Sequence, residues 1–421
     1  MSYIKPVVVA STMLVATLSV PAFADHMNYA TTMQPQGVTV DYNQVIGRNS
    51  PVSNTVSPTV AWEKRIFVGG LVNGDLTYAE RGWNSSVANF TVPDFNANAK
   101  NSDTITLNNA NLFVEAKIND FTKGHVGLVV KQRPGQLTND MGLDVDEAYA
   151  TFSDFCQSPF YLQAGRKFTS FGNYDPYPIT YSLTQLLTET DEEVVELGYV
   201  STDGFHGAIY AFNGPNSEKN NRINNFGADL GFNAQYDNIL YNVGIGYVKD
   251  IRDSQFLVAQ LSNSNFPANV SGPDLSDAIS QQAGGLSLHA DVTSGPFEGR
   301  ADYVQAMRQI IASDGNGDVY DNLGTKVSAY GLRAGFGFDS IGYVSQFALG
   351  YQHSNKGWFL GMPRERILAD YNVTLNQNTK VTLEYAHNKD YNQNVVLTSD
   401  TSVHGQNSSS NVATVRVGVA L

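Results

Sequence analysis

The chain is poor in cysteine, in charge and, after its first residues, in apolar runs. Cys156 is the single cysteine among 421 residues, so an internal disulfide framework is excluded. The seven histidines, among them His206, His289, His353 and His387, are scattered without a His-x-x-x-His spacing, and no Cys/His cluster forms. That excludes the usual sequence signatures of a transition-metal site. No Gly-Lys-Ser phosphate loop and no Gly-x-Ser-x-Gly nucleophile elbow occurs, so neither a nucleotide site nor a hydrolase is indicated. No cofactor, no metal and no enzymatic activity are expected. Charged residues make up 16% of the chain, against about 25% in soluble domains. Asp and Glu number 40 against 26 Lys and Arg, a net charge of −14. That balance excludes nucleic acid as a partner, because binding it needs clustered basic residues.

A helical membrane span is also missing. Charged or amide residues interrupt every apolar stretch after Phe23, and a spanning helix needs about 20 predominantly apolar residues. The start of the chain is different. Lys5 precedes an apolar run, Val7 to Val20, and Ala22-Phe23-Ala24 follows. This charged, apolar, small-residue order is that of a secretory signal. Residues 1–24 are read as a signal peptide cleaved near Ala24, and removing Lys5 takes the net charge from −14 to −15. Residues 25–60, rich in Asn, Thr, Ser and Pro, read as an irregular periplasmic extension.

Residues 61–421 change character. Ala413, Val415, Val417, Val419 and Leu421 alternate with Thr414, Arg416 and Gly418. Tyr330, Leu332, Ala334, Phe336 and Phe338 alternate with Gly331, Arg333, Gly335 and Gly337. The same pattern recurs over 112–118, 241–247, 297–303 and 381–385. Successive strand side chains point to opposite faces, so each segment has one apolar and one polar face. Only helices and closed barrels satisfy their backbone groups in lipid, and a barrel turns its apolar face outward.

The breaks alternate as well. Tight turns are expected near Asn119-Asp120, Phe155-Ser158, Thr202-Gly204, Asp237-Asn238, Ser294-Gly295, Asp339-Ser340 and Gln377-Asn378. Longer polar segments are expected near 80–103, 132–142, 170–192, 214–224, 251–282, 310–323, 355–363 and 390–408. Short turns on one rim and long loops on the other imply an all-β, antiparallel transmembrane barrel of about 16 strands, porin-like and set in a bacterial outer membrane. A soluble β-sandwich or propeller also alternates, but it does not usually combine these two rims with charged inner faces and a chain end inside a strand.

About 16 strands enclose a water-filled lumen. Its field should come from charges facing inward. Alternation assigns Glu115, Lys117, Glu147, Lys167, Glu196, Glu298, Arg300, Asp302, Arg333, Arg366, Asp370, Glu384 and Arg416 to that face. These residues either pair to hold the wall or act on a solute. Lys117, Lys167, Arg300, Arg333, Arg366, Arg416, Glu298 and Asp302 are the pore-lining candidates, and the arginines offer planar forks to carboxylate or phosphate groups. The segment from Phe171 to Thr190 is aromatic, carries Pro176, Pro178, Leu183, Leu186 and Leu187, and is too apolar for a free outer loop. It is expected to fold into the barrel mouth, with Phe171, Tyr174, Asp175 and Tyr177 as constriction candidates; the alternative is a loop lying on its neighbours outside the lumen. Asp314-Gly315-Asn316-Gly317-Asp318 spaces oxygen ligands as calcium loops do, but it lacks the later glycine and closing glutamate.

Asp146-Glu147-Ala148-Tyr149-Ala150-Thr151-Phe152, Ser158-Pro159-Phe160-Tyr161-Leu162, Gly165-Arg166-Lys167, Phe171-Gly172, Tyr177-Pro178-Ile179-Thr180 and Leu186-Leu187-Thr188-Glu189-Thr190 stand in this order. With Leu197-Gly198-Tyr199-Val200 and Tyr210-Ala211-Phe212-Asn213-Gly214, this stretch resembles the legiobactin-receptor type of siderophore porin. The resemblance is strong over 145–214 and architectural elsewhere. It implies an outer-membrane barrel that takes up a ferric siderophore without a large globular plug domain. Phosphate-selective and general porins share the Gly-Arg/Lys-x-x-x-x-Phe-Gly strand end and are the alternatives. The expected function is passage of small anionic solutes, a ferric siderophore first among them. The expected surroundings are outer-membrane lipid and lipopolysaccharide. A barrel-borne lipase or protease and a closed adhesin barrel are the competing classes.

Overall fold

The computed structural model describes residues 66–81, 101–119, 121–132, 141–154, 157–172, 179–201, 203–215, 222–237, 239–262, 282–310, 326–357, 360–376, 378–391 and 409–420. The expected signal peptide and extension, Cys156, Tyr174, Asp175, Tyr177 and the 314–318 stretch lie outside these residues.

Sixteen strands form one closed antiparallel barrel. They are β1 (Ile66–Arg81), β2 (Asn101–Lys117), β3 (Thr122–Gln132), β4 (Met141–Ser153), β5 (Phe160–Phe168), β6 (Asp191–Val200), β7 (Phe205–Phe212) and β8 (Asn225–Tyr236). The second half is β9 (Ile239–Val248), β10 (Gly285–Ser294), β11 (Phe297–Ala306), β12 (Ser328–Ser340), β13 (Tyr343–Asn355), β14 (Glu365–Asn376), β15 (Thr379–Lys389) and β16 (Ser409–Ala420). Each strand pairs with its sequence neighbours, and β1 pairs with β16 from Leu71↔Ala420 to Arg81↔Ser410. That last ladder removes both free edges, which lipid could not satisfy.

The alternation read from the sequence is the alternation of the wall. Leu332, Phe336, Val417, Val419, Leu383 and Ile245 are exposed on the outside. Thr382, Glu384, Thr414, Arg416 and Asp302, in register between them, are buried toward the inside. Aromatic pairs gird the outside near the short turns: Phe160–Tyr199 at 5.3 Å, Phe205–Phe232 at 4.6 Å and Phe297–Phe336 at 5.0 Å between ring centres. Toward the other rim, Tyr330 lies 6.2 Å from Tyr351 and 5.4 Å from His353. Aromatic rings at both edges of an apolar band are what a lipid–water boundary favours.

The short connections fall where they were expected, with small shifts. The turn expected at Asp339-Ser340 lies two residues on, at Ile341-Gly342, where both residues have positive φ, 53° and 82°. Two positive φ values in a two-residue connection match the right-handed twist of the flanking strands. Gly295, with φ 55°, opens the β10–β11 turn.

Two long connections are not plain loops. Helix α1 (Leu183–Thr188) lies between β5 and β6, and its six residues are all buried. A 3₁₀ turn (Ile251–Asp253) and helix α2 (Gln255–Ser262) follow β9. Sequence analysis treats 251–282 as an outer polar segment. Its first part instead packs inward, because Ile251, Phe256 and Leu257 bury their side chains against α1.

Leu332 sits mid-strand on the outer face, 51% exposed. Leu332→Arg is expected to lower stability in bilayers by about 2–4 kcal/mol, read from denaturant-driven unfolding of the refolded barrel. A loss no larger than that of Leu332→Ala would contradict a lipid-facing wall.

Candidate functional site

The site is the barrel interior, and its centre is a loop that crosses it. At the neck of that loop the Thr169 amide donates to the Thr190 carbonyl at 2.9 Å, extending the β5–β6 ladder by one rung. Ser182 caps α1 by accepting from the Gln185 amide at 3.0 Å, the role a serine hydroxyl fills at a helix start. Segment 179–183 reaches strands half a circuit away. The Leu183 amide donates to Gln352 Oε1 on β13 at 2.9 Å. Arg366 on β14 donates to the Tyr181 carbonyl at 2.8 Å. The Ile179 amide donates to Glu384 Oε2 on β15 at 3.2 Å, and the Thr180 hydroxyl bonds the same carboxylate. Gln352, Arg366 and Glu384 all face inward: Gln352 is in register with Gly331 and Arg366, Arg366 with Asn388, and Glu384 with Asp370 and Thr414. Segment 179–190 therefore lies within the barrel and not over its outside.

The second insertion locks the first. The Gln255 amide donates to the Glu189 carbonyl at 2.8 Å, and Ser254 Oγ approaches the Leu186 carbonyl at 3.5 Å. Phe171, Leu183, Leu186, Leu187, Ile251, Phe256 and Leu257 then form one apolar cluster with wall residues Val194, Tyr210, Phe212, Val248, Val304 and Ala329. These wall residues stand near the long-loop ends of their strands, so the cluster occupies the outer part of the lumen. Arg252 is held in it by Asp250 at 2.6 Å. Asn225 donates to the Asp250 carbonyl and to Asp253 Oδ2, each at 2.8 Å. Buried charges of this kind persist only when paired and hydrogen-bonded.

The charges singled out by alternation do face inward, and most are tied to one another. Arg300 Nε lies 3.2 Å from Asp291 and 3.1 Å from Asp302. Arg333 bridges Glu298 and, at 3.1 Å, Asp370. Arg416 meets Asp75 across the β1–β16 seam with two bonds of 2.7 Å, the bidentate fork that guanidinium and carboxylate geometry allows. Arg366 donates to Asn388 Oδ1 at 2.6 Å and to the loop. The arginines expected to offer forks to a solute thus engage protein carboxylates and carbonyls.

The opposite wall is built around Glu196. Its carboxylate accepts from Tyr161 at 3.0 Å and Ser170 at 2.8 Å, and pairs with Lys167 Nζ at 3.0 Å. Tyr161 lies over Gly198, where an added Cβ would fall 1.9 Å from the ring. Any side chain at 198 would displace Tyr161 from Glu196. Beside this group His125 Nδ1 bonds Glu115 at 2.5 Å, with Glu147 at 3.7 Å from the other ring nitrogen. The rings of His125 and Tyr149 stack at 4.9 Å. Lys117 lies in register with Lys123 near the short-turn end.

Sequence analysis missed Asp75, Asp229, Asp291, His125 and the α2 insertion. Asp75, between Gly74 and Leu76, and Asp291, between Ala290 and Val292, carry the same alternation signal as the residues assigned to the inner face. Among the described residues no group of three His, Cys, Asp or Glu side chains is placed to hold a metal.

No protein-family model matches the chain. A UPF0422 protein of Coxiella burnetii is 24% identical over 341 residues, which is 79% of this chain and 66% of that protein. A UPF0422 protein of Legionella pneumophila is 22% identical over 295 residues, 68% of this chain and 54% of its own length. The chain therefore spans between about half and two thirds of the curated relatives it matches. Among solved structures, the outer membrane channel DcaP of Acinetobacter baumannii superposes with a TM-score of 0.54 at 15% identity, covering 85% of this chain and 97% of that one. Pseudomonas putida OprB gives 0.51 at 10% identity, with 86% and 95% covered. An anion-selective porin from Comamonas acidovorans gives 0.50 at 10% identity, with 85% and 99% covered.

Arg333→Ala leaves the Glu298 and Asp370 carboxylates without their shared cation. It is expected to destabilise the folded barrel by about 3 kcal/mol, read as a lower unfolding midpoint in detergent. Stability within about 0.5 kcal/mol of the parent would contradict a structural role. With its closed ring of sixteen strands, polar inner face and girdled apolar exterior, the chain has the fold of a porin-like outer-membrane channel.

Proposed function

We propose that the chain is an outer-membrane channel for selective uptake of a small solute, and that the solute is a ferric siderophore. The observation that carries the selective part is the 179–190 segment, packed inside the lumen and bonded to Gln352, Arg366 and Glu384 on the far wall. A general diffusion pore needs a wide aqueous path. Here an apolar cluster of loop and wall residues occupies the outer lumen, so entry of a solute as large as a chelate requires the inserted loops to give way. Iron wrapped in its own ligand needs no protein metal site, which suits a wall built from hydrogen-bonding groups and paired charges. The siderophore part rests on the resemblance over 145–214.

The second reading is a less selective porin of the same architecture. It is favoured by the polar inner face away from the cluster, where Asn372 and Thr382 are joined at 2.7 Å and Gln163 and Thr151 at 3.0 Å.

Single-channel recordings of the refolded chain separate the two. Saturable block by a ferric chelate, with little block by the iron-free ligand, is expected for the siderophore reading; conductance indifferent to every chelate supports the general porin. The double variant Gln352→Ala/Arg366→Ala removes two of the loop's anchors. It is expected to raise conductance, since the segment no longer spans the lumen. An unchanged conductance would mean that the loop does not limit the path.

A further inference from the structure

We infer that this lumen prefers cations to anions, so that the ferric siderophore proposed above is a neutral or positively charged one and not the anionic solute expected from the sequence. The inference rests on the channel reading above and names the charge class of its solute.

The first observation is the stoichiometry of the arginine wall. Arg300 is flanked by Asp291 and Asp302, and Arg333 by Glu298 and Asp370. Two guanidinium charges thus share four carboxylates, and the group carries a negative excess. The carboxylates are not sealed off: the side chains of Asp291 and Glu298 are 28% and 31% exposed, against 17% and 8% for Arg300 and Arg333. A passing ion meets the acidic partners more readily than the basic ones.

The second observation comes from two further strands, β8, next but one to β10, and β4, across the barrel. Asp229 on β8 points inward, in register with Ala208 and Gly246. Glu147 on β4 points inward opposite Gly127. Among the described residues neither has a lysine or arginine within ion-pair distance; the 3.7 Å approach of His125 to Glu147 is the nearest such contact. Lys167, the lysine near Glu147, is taken by Glu196 at 3.0 Å and by Gln163 at 2.5 Å. Asp229 and Glu147 therefore add acidic side chains to the interior beyond the arginine group.

The physics then follows from geometry. A low-dielectric wall focuses the field of its charges into the water it encloses. Carboxylates lining a pore concentrate cations and exclude anions. Arg300 and Arg333, each bonded to two carboxylates, offer an anion neither net charge nor a free fork.

The test is the reversal potential of the refolded full chain in planar bilayers under a KCl gradient. It is measured at alkaline pH so that the carboxylates are ionised. A K⁺/Cl⁻ permeability ratio above one is expected. Asp229→Asn/Glu147→Gln, isosteric and without charge, should lower that excess by roughly half. The heat-shifted gel mobility of the folded barrel checks that the variant has assembled. A ratio at or below one in a conducting channel overturns the inference and leaves the channel reading standing. A ratio above one that the double variant does not move overturns the assignment to Asp229 and Glu147. Absence of any conductance in correctly folded protein overturns the channel reading itself, and the inference with it.

Discussion

The structure depends on the ladder between β1 and β16. Fifteen of the sixteen strand contacts join sequence neighbours and could form in an open sheet. The sixteenth brings Leu71–Arg81 against Ser410–Ala420, residues more than three hundred positions apart, and converts two edges into none. In hydrocarbon each unsatisfied backbone group costs several kcal/mol, so closure is the condition for the wall to exist. The seam is reinforced from inside by Arg416 on Asp75 at 2.7 Å and by the Thr77–Thr414 hydroxyl contact at 3.1 Å.

Closure fixes the sidedness of every strand and so creates an interior that must be filled or hydrated. This chain does both. The outer part is filled by its own connections, α1 and the segment leading into α2, whose leucines and phenylalanines meet inward-facing Val194, Phe212, Val248 and Val304. The middle is lined by paired charges and hydrogen-bonded amides. The two halves of the design depend on each other. The loop's backbone donors end on inward side chains of β13 and β15, so the polar wall satisfies groups that the apolar cluster would otherwise leave buried and unpaired.

Much of this was legible in the sequence. Strand periodicity placed Arg333, Arg366, Glu384 and Arg416 on the inner face, and the alternation of short and long breaks gave the strand number. Leu183, Leu186 and Leu187 marked the 170–192 connection as too apolar for solvent. Pairing was not legible. Arg416 and Asp75 are 341 residues apart, and which acid an inward arginine meets depends on register and on the reach of long side chains diagonally across strands. Asp370, for instance, meets Arg333 from two strands away. Nor was α1 legible as a helix, since six residues hold less than two turns and show no helical period. Ile251, Phe256 and Leu257 were a weak signal that a second connection turns inward, hidden by the polar stretch that follows them.

Amide hydrogen exchange of the refolded protein in lipid tests the closed ring most directly. The amides of β1 and β16 that face each other, Val72 to Ala79 and Val412 to Val419, should be protected as strongly as those of β8 and β9 on the far side. Rapid exchange along β1 and β16, with protection kept elsewhere, would reveal two open edges and contradict the barrel on which the lumen, its inserted loops and its field are built.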